Sequence, residues 1–495
     1  MSTHPPEPHR PEPHRPETGR FAETLDGVGA ALDAWLTSER VDPLRSPTDW
    51  RGELSEPLPP TGIGADATMR EFNTLVLPHG PHLTSPTSWG WITTGPTTVP
   101  TAMLAAGMVA SPQRQTLSSF NLLEEQALMW LAKLCGLGEH MKGVFSSGGS
   151  TANLIALGAA RQWALEQQGI DPSADGFDAA NLAIYTSDQV HHTVQRSAGV
   201  LGIGRRKVRS VATDDHLRLD VEALEAALKQ GAESGVLPVA VVVSAGTTNT
   251  GTIDPIRRAG ELAKEYGAWF HVDGAYGLPG ILDERVAALY DGLELADSVI
   301  VDPHKWLNVP VGVAATFVRD RSILHRAFTQ EPADYLEGAF SDDDVQVSLD
   351  AMGIPYFDFG VELSSPVRGV AVWGVLKELG VEGVRARVVS DNDFARHVAK
   401  RAREYPRLEL LLDPVLSICV FRYVPEHATS DADIDAANRD LLRRLVRETR
   451  FVVSSTIVKG AFALRPCFIN PRTTIEDVDD FVDTVLSLGE PLDRG

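Results

Sequence analysis

From Val239 to Ser244 the chain reads Val-Ala-Val-Val-Val-Ser, almost all β-branched and without polar alternation. Such a strand has no face for solvent. It must be covered on both sides, as the strands of a parallel sheet between helices are. The same constraint applies at Leu182–Thr186, Trp269–Asp273 and Asp297–Val301, which are apolar runs of the same kind. Amphipathic stretches separate them: one carries Val221, Leu224, Ala227 and Leu228, and another runs from Ile256 to Tyr266. Strand, helix and strand in this order bring the carboxyl ends to one edge of one parallel sheet. Open α/β sheets bind their ligands at that edge.

The residues that follow these strands carry chemistry. After Asp297–Val301 comes Asp302-Pro303-His304-Lys305-Trp306-Leu307. A lysine there is costly to pack, because its ammonium must be desolvated or paired. Burial also lowers its pKa from about 10.4 and frees the amine to form a Schiff base with a carbonyl. Taken alone, a lysine at a strand end is more often simply solvated. The upstream run Trp269-Phe270-His271-Val272-Asp273-Gly274-Ala275-Tyr276-Gly277 changes that reading. One strand ending in aspartate and the next in lysine suit pyridoxal 5'-phosphate (PLP), whose aldehyde needs an amine and whose pyridinium nitrogen needs a carboxylate. Further upstream, Gly143-Val144-Phe145-Ser146-Ser147-Gly148-Gly149-Ser150-Thr151-Ala152-Asn153 opens a helix. Its glycines admit an anion close to backbone amides, and the helix would aim its positive end at a phosphate. Gly-Gly-Ser before a helix is weak evidence in isolation, since plain capping by Ser150 or Thr151 is commoner.

On Pro303-His304-Lys305-Trp306 and His271-Val272-Asp273-Gly274-Ala275-Tyr276, the sequence resembles the PLP-dependent group II amino-acid decarboxylases. That family includes the aromatic-L-amino-acid, tyrosine, histidine and glutamate decarboxylases. The similarity runs from about Phe72 to the C-terminus and weakens after about Leu363. It implies an α/β fold of the PLP-dependent transferase type I (aspartate-aminotransferase-like), with a mostly parallel central sheet flanked by helices and a small C-terminal α/β domain. It also implies roles. Lys305 would bind the cofactor aldehyde, Asp273 its ring nitrogen, and Gly149 and Ser150 its phosphate. His191 would stack on the ring, Ala275 would lie on the other face, and Thr248 would stand near the cofactor. Asp302 and His304 would complete the phosphate or lysine environment. Trp91 and Thr94 match pocket-shaping positions, and Tyr335 matches a proton-donating loop tyrosine, one residue further along than in the family. Two departures stand out. His192 falls where the family usually has serine, and at Leu363-Ser364-Ser365-Pro366-Val367-Arg368 a frequent arginine pair is broken.

Bland readings stand beside several of these. The tryptophans at 89 and 91 fit a core or an interface, a His-His pair fits a structural or metal role, and Tyr335 fits an ordinary loop. The N-terminal repeat Pro-Glu-Pro-His-Arg is too proline-dense for helix or ladder and reads as a solvated tail. Helical spacing of Phe21, Leu25, Val28, Leu32 and Leu36 follows. The expected division is a tail over 1–19, a helical segment and pocket loop over 20–115, a large PLP-binding domain over 116–390 and a small domain over 391–495. In the last, the pattern changes from about Asp391 to helix, strand (Leu416 to Tyr423), helix (Asp431 to Glu448), strand and a final helix (Ile475 to Leu488).

A net charge of −22 argues against nucleic acid or an anionic membrane as the main partner. Cys135, Cys419 and Cys467 lie far apart, without metal-ligand spacing, and fit a reducing cytoplasm. No apolar stretch is long enough for a membrane helix. No metal is expected. The sequence thus predicts a cytoplasmic homodimer, its active site at the interface, that decarboxylates an L-amino acid with an aromatic or bulky apolar side chain to the amine. The alternative on the same fold couples decarboxylation to oxidative deamination and yields an aldehyde. A scaffold without catalysis has no use for Lys305, Asp273 and His191 together.

Overall fold

The computed structural model describes residues 21–38, 49–80, 82–111, 118–329 and 353–491. The chain divides into two compact units, Met1–His82 and Leu83–Gly495. In the first, the apolar spacing after Arg20 forms helix Phe21–Thr37, none of whose residues is buried. Short helices Trp50–Leu54 and Ala65–Glu71 follow. Ring contacts tie this unit together, Trp35 against His82 and Trp50 stacked on His79 at 5.6 Å.

The second unit carries two sheets. Strand β1 (Ser88–Trp89) belongs to the smaller one. The larger comprises β2 (Lys142–Ser146), β3 (Leu182–Ser187), β4 (Val208–Val211), β5 (Leu237–Ser244), β6 (Trp269–Asp273), β7 (Ser298–Val301) and β8 (Ala314–Val318). Their spatial order is β2-β8-β7-β6-β5-β3-β4. From β4 to β7 every pairing is parallel. The run that reads Val-Ala-Val-Val-Val is wholly buried in β5, as its lack of a polar face demands.

Strand β8 departs from the single parallel direction, running antiparallel to both β7 and β2. No helix lies between β7 and β8, so the chain has no crossover to carry it back to the starting edge. Because β2 opposes β8, it points the same way as β7. Its carboxyl end therefore joins the others at one edge.

Helix Gly149–Glu166 packs on β5, β6, β7 and β8. Small residues make this possible: Ala152 and Ala156 are buried against Ile300 and Ala314. Helices Val221–Glu233 and Ile256–Glu265 pack on β5 as well. Their apolar residues Leu224, Leu228, Ala259 and Leu262 are buried, and the rows between them carry charge.

The smaller sheet adds β9 (Leu408–Leu412), β10 (Val420–Tyr423), β11 (Val452–Val458) and β12 (Ala461–Arg465), in the order β1-β11-β12-β10-β9. Helices Asp431–Glu448 and Ile475–Gly489 cover it. Trp89 is fully buried in its core among Phe451, Phe468 and Phe481, and its indole N–H donates to Thr473 Oγ1 at 3.0 Å. The helix expected from Asp391 begins earlier. It spans Gly369–Glu404 and is interrupted at Gly380, whose φ of 62° breaks the regular spacing. Arg368, the residue left of the expected arginine pair, caps the turn before it by donating to Glu362, Ser365 and the Gly312 carbonyl.

Asp254 joins β5 to the preceding loop, accepting the Ser244 N–H at 2.8 Å and the Leu219 N–H at 2.7 Å. Burial pushes its carboxyl up to about 6. Asp254→Ala leaves two buried donors unsatisfied and should cost roughly 2–4 kcal/mol in urea unfolding. Asp254→Asn, which can accept only one of them, should fall between.

Candidate active site

The carboxyl ends of β2, β3, β5, β6 and β7 surround a cavity of about 230 Å³. Beyond β2 the turn into helix Gly149–Glu166 supplies Gly149 and Ser150, and the turn after β3 supplies His191. The loop after β5 brings Thr248, the end of β6 brings Asp273 and Ala275, and the turn after β7 brings Asp302, His304 and Lys305. Residues more than 150 positions apart in the chain thus share one wall.

Lys305 Nζ lies 3.1 Å from Asp302 Oδ2. Asp302 Oδ1 is buried and has no hydrogen-bond partner among the described residues. His304 Nδ1 donates to the Val313 carbonyl at 2.9 Å, so the ring's proton sits on that nitrogen. Its Nε2 is 3.8 Å from Asp302, which would make an ion pair only for a protonated ring. Burial, however, lowers the His304 pKa and keeps the ring neutral. The His191 pKa is also lowered, first by burial and then by the nearby charges of His192 and Lys305, against Asp273 and Asp302.

Two close approaches shape the floor. A Cβ on Gly149 would meet Asp302 Oδ2 at 2.6 Å. At Gly246 (φ 104°) a Cβ would come within 2.7 Å of the Gly277 Cα. The β5 loop is also held from outside, since Arg465 at the end of β12 donates to the Thr248 and Asn249 carbonyls.

These groups fit PLP. Gly148, the residue before helix Gly149–Glu166, provides no side-chain cap, so the first helix amides remain available to an anion such as phosphate. An amine stands at Lys305 and a carboxylate at Asp273, on separate strands of the same edge. The model of the pyridoxal-dependent decarboxylase conserved domain matches residues 110–424, more than half of the sequence. The chain belongs to this family.

The decarboxylase has relatives along most of its length. It is 30% identical over 444 residues to an aromatic-L-amino-acid decarboxylase of Bacillus atrophaeus, covering 89% of this chain and 88% of that one. It is also 30% identical over 438 residues to an L-2,4-diaminobutyrate decarboxylase of Rhizobium meliloti (strain 1021), covering 87% and 83%. A crystal structure of Oryza sativa TDC with PLP and tryptamine superposes with a TM-score of 0.85 at 25% identity, covering 96% of this chain and 99% of that chain. The protein is a PLP-dependent amino-acid decarboxylase, and hence a carboxy-lyase.

Other residues named from the sequence lie elsewhere. The exposed His192 does not line the cavity, although its ring lies 4.2 Å from that of His191. Trp91 is 57% exposed and Thr94 is buried, both outside the cavity wall. Tyr335 lies outside the described residues. Asn153, Thr193, Ser244, Gly246 and Tyr276 line the cavity without having been singled out. A signal existed for Asn153, which is one helical turn past Gly149 and so faces the same way.

Gly149→Val should displace Asp302 and lower the PLP bound per chain at least tenfold, read from the bound-cofactor absorbance. A second expectation concerns pH. Burial pulls the His271 imidazole, next to Asp273 on β6, down from 6.5 to about 4. Between those values the unfolded chain binds the extra proton, so this residue's contribution to stability falls as pH drops through the window. The shift corresponds to about 3 kcal/mol. The wild-type urea midpoint should therefore fall relative to that of His271→Asn as pH is lowered from about 6.5 to about 4, and run parallel to it above pH 7.

Proposed function

We propose that this decarboxylase acts on an L-amino acid with an aromatic or bulky apolar side chain and releases CO2 and the amine. The charge inventory of the cavity carries this reading. Among its described lining residues the charged groups are Asp273, Asp302 and Lys305, with His191 and His304 kept neutral by burial. Asp302 is paired with Lys305, and Asp273 is assigned to the cofactor nitrogen. Among the described lining residues no charged group is left over for an acidic or basic side chain. Relatives at 30% identity include an aromatic-L-amino-acid and a diaminobutyrate decarboxylase, so likeness alone does not choose.

Bound PLP supplies a ring that accepts the electron pair left when CO2 departs. In this proposal each of the chain's own residues has a role. Lys305 provides the amine that attaches the cofactor, and Asp302 and His304 set the surroundings of that amine. Asp273 stabilises a proton on the ring nitrogen by opposite charge. Amides at Gly149 and Ser150 hold the phosphate. His191 would cover one ring face and orient the scissile carboxylate, while Ala275 would leave room on the other and Thr248 would border the ring. Tyr335 returns a proton to the substrate carbon.

A homodimer is part of the same proposal. Trp91, Val99, Met108, Val109, Leu122 and Met129 are exposed apolar residues, more than an isolated surface favours in one stretch. A second copy would cover them and place Trp91 at the subunit interface. Among the described residues no helix is long and apolar enough to cross a membrane, which is compatible with the proposed cytoplasmic location. A second reading, decarboxylation coupled to oxidative deamination, is motivated by His192 beside His191.

The deciding experiment incubates the PLP-loaded protein with each proteinogenic L-amino acid and follows CO2, amine and ammonia together. Equal CO2 and amine from an aromatic substrate is expected. Ammonia with aldehyde would replace this reading by the second, and turnover of only charged substrates would overturn the assignment of side-chain class. In the same assay Tyr335→Phe should lower amine formation by roughly 10²–10⁴-fold.

A further inference from the structure

Asn153 is almost fully buried, at 1% exposure, and every polar atom of its side chain is engaged. Its Nδ2 donates to Asp273 Oδ2 at 3.0 Å and to Thr193 Oγ1 at 3.0 Å. Its Oδ1 lies 3.0 Å from His271 Nε2. His271 Nδ1 lies 2.8 Å from Ser298 Oγ, which accepts the Trp269 indole N–H at 2.8 Å.

The direction of this chain is set at its carboxylate end. An ionised carboxylate can only accept, so both hydrogens of Asn153 point at Asp273 and Thr193, and Oδ1 faces His271. His271 therefore donates from Nε2 to Asn153 Oδ1. The bare Nδ1 of the neutral ring then accepts the hydroxyl hydrogen of Ser298, which itself accepts from the Trp269 indole.

The second branch ends at His191. Thr193 Oγ1, having accepted from Asn153, is 2.7 Å from His191 Nδ1, and the Thr193 backbone N–H points at the same nitrogen from 3.4 Å. A backbone N–H can only donate, so Nδ1 is an acceptor and the Thr193 hydroxyl turns its own hydrogen to it. The neutral ring must hold its proton on Nε2.

We propose that Asn153 is a positioning residue whose single amide sets two groups at once, the Asp273 carboxylate and the Nε2–H tautomer of His191. One amide thus links the group facing the cofactor nitrogen to the ring that covers the cofactor, and leaves His191 a hydrogen-bond donor toward the substrate carboxylate. The inference rests on the roles proposed above for Asp273 and His191.

Histidine-selective ¹⁵N labelling of the full-length protein reads the ring tautomers directly, and PLP titration of the cofactor-free protein reads the setting of Asp273. In the wild type, His191 and His271 should both carry the proton on Nε2. Asn153→Leu, with the same number of side-chain heavy atoms but without donors, should weaken PLP binding about tenfold or more and mix the His191 tautomers. Thr193→Val should mix the His191 tautomers while weakening PLP binding clearly less than Asn153→Leu does, and Thr193→Ser should restore the wild-type signal. A purely structural role would move both readouts together in both variants and would overturn the proposal. So would a wild-type His191 protonated on Nδ1, a result that needs no variant to fold. Failure to decarboxylate any amino acid would count against the proposed function and leave these tautomer results to judge the amide link alone.

Discussion

The site depends on how closely helix Gly149–Glu166 lies against the sheet. A single added carbon at Gly149 would collide with Asp302, and Ala152 and Ala156 are buried on the strands beneath. A helix with larger residues on this face would stand further off, as interior packing leaves no slack for extra methyl groups. The uncapped amino end of the helix could then no longer share a cavity with the ends of β6 and β7. Packing and chemistry are thus one constraint, because the alanines that let the helix settle also bring Asn153 within hydrogen-bonding distance of Asp273.

Electrostatics at the edge follow from the same burial. Two histidines around the cavity, His191 and His304, and a third behind it, His271, are all held neutral by desolvation. Neutral rings can pass hydrogen bonds in one direction, whereas imidazolium rings could only donate. The net charge near the cavity is therefore decided by Asp273, Asp302 and Lys305. Desolvation, usually counted as a cost, gives the polar network its direction here.

The second sheet contributes from a distance. Asn308, three residues past Lys305, adopts a left-handed φ of 52°. Its side chain donates to the Lys305 and Ile469 carbonyls at 3.1 and 2.9 Å and accepts from Arg387 at 3.0 Å. Arg465 similarly anchors the Thr248 loop. The turn carrying the lysine is thereby held between the segment after β12 and helix Gly369–Glu404, so the precision of the site is a property of the whole second unit.

Much of this was legible in the residues. An unbroken β-branched run has only one way to avoid water, so β5 and its parallel neighbours followed from Val239–Val243, and the spacing over Asp431–Glu448 marks a helix observed over that same span. The aspartate and lysine that follow such strands, with a glycine-rich helix start, also announced a cofactor. Local pattern reports which face of an element seeks the core, but not which distant group will meet it. The reversal of β8, the early start of the helix at Gly369 and the exposure of Trp91 depend on such meetings. So does Asn153, whose significance lies in three partners drawn from two other segments, Thr193 on one and His271 with Asp273 on the other, and through His271 in Ser298. By itself the sequence determined the sheet, the chemistry placed at its edge and the cofactor class. Only the tertiary structure decided hydrogen-bond direction and ring tautomer, because these depend on whether each buried donor finds an acceptor across elements far apart in the chain.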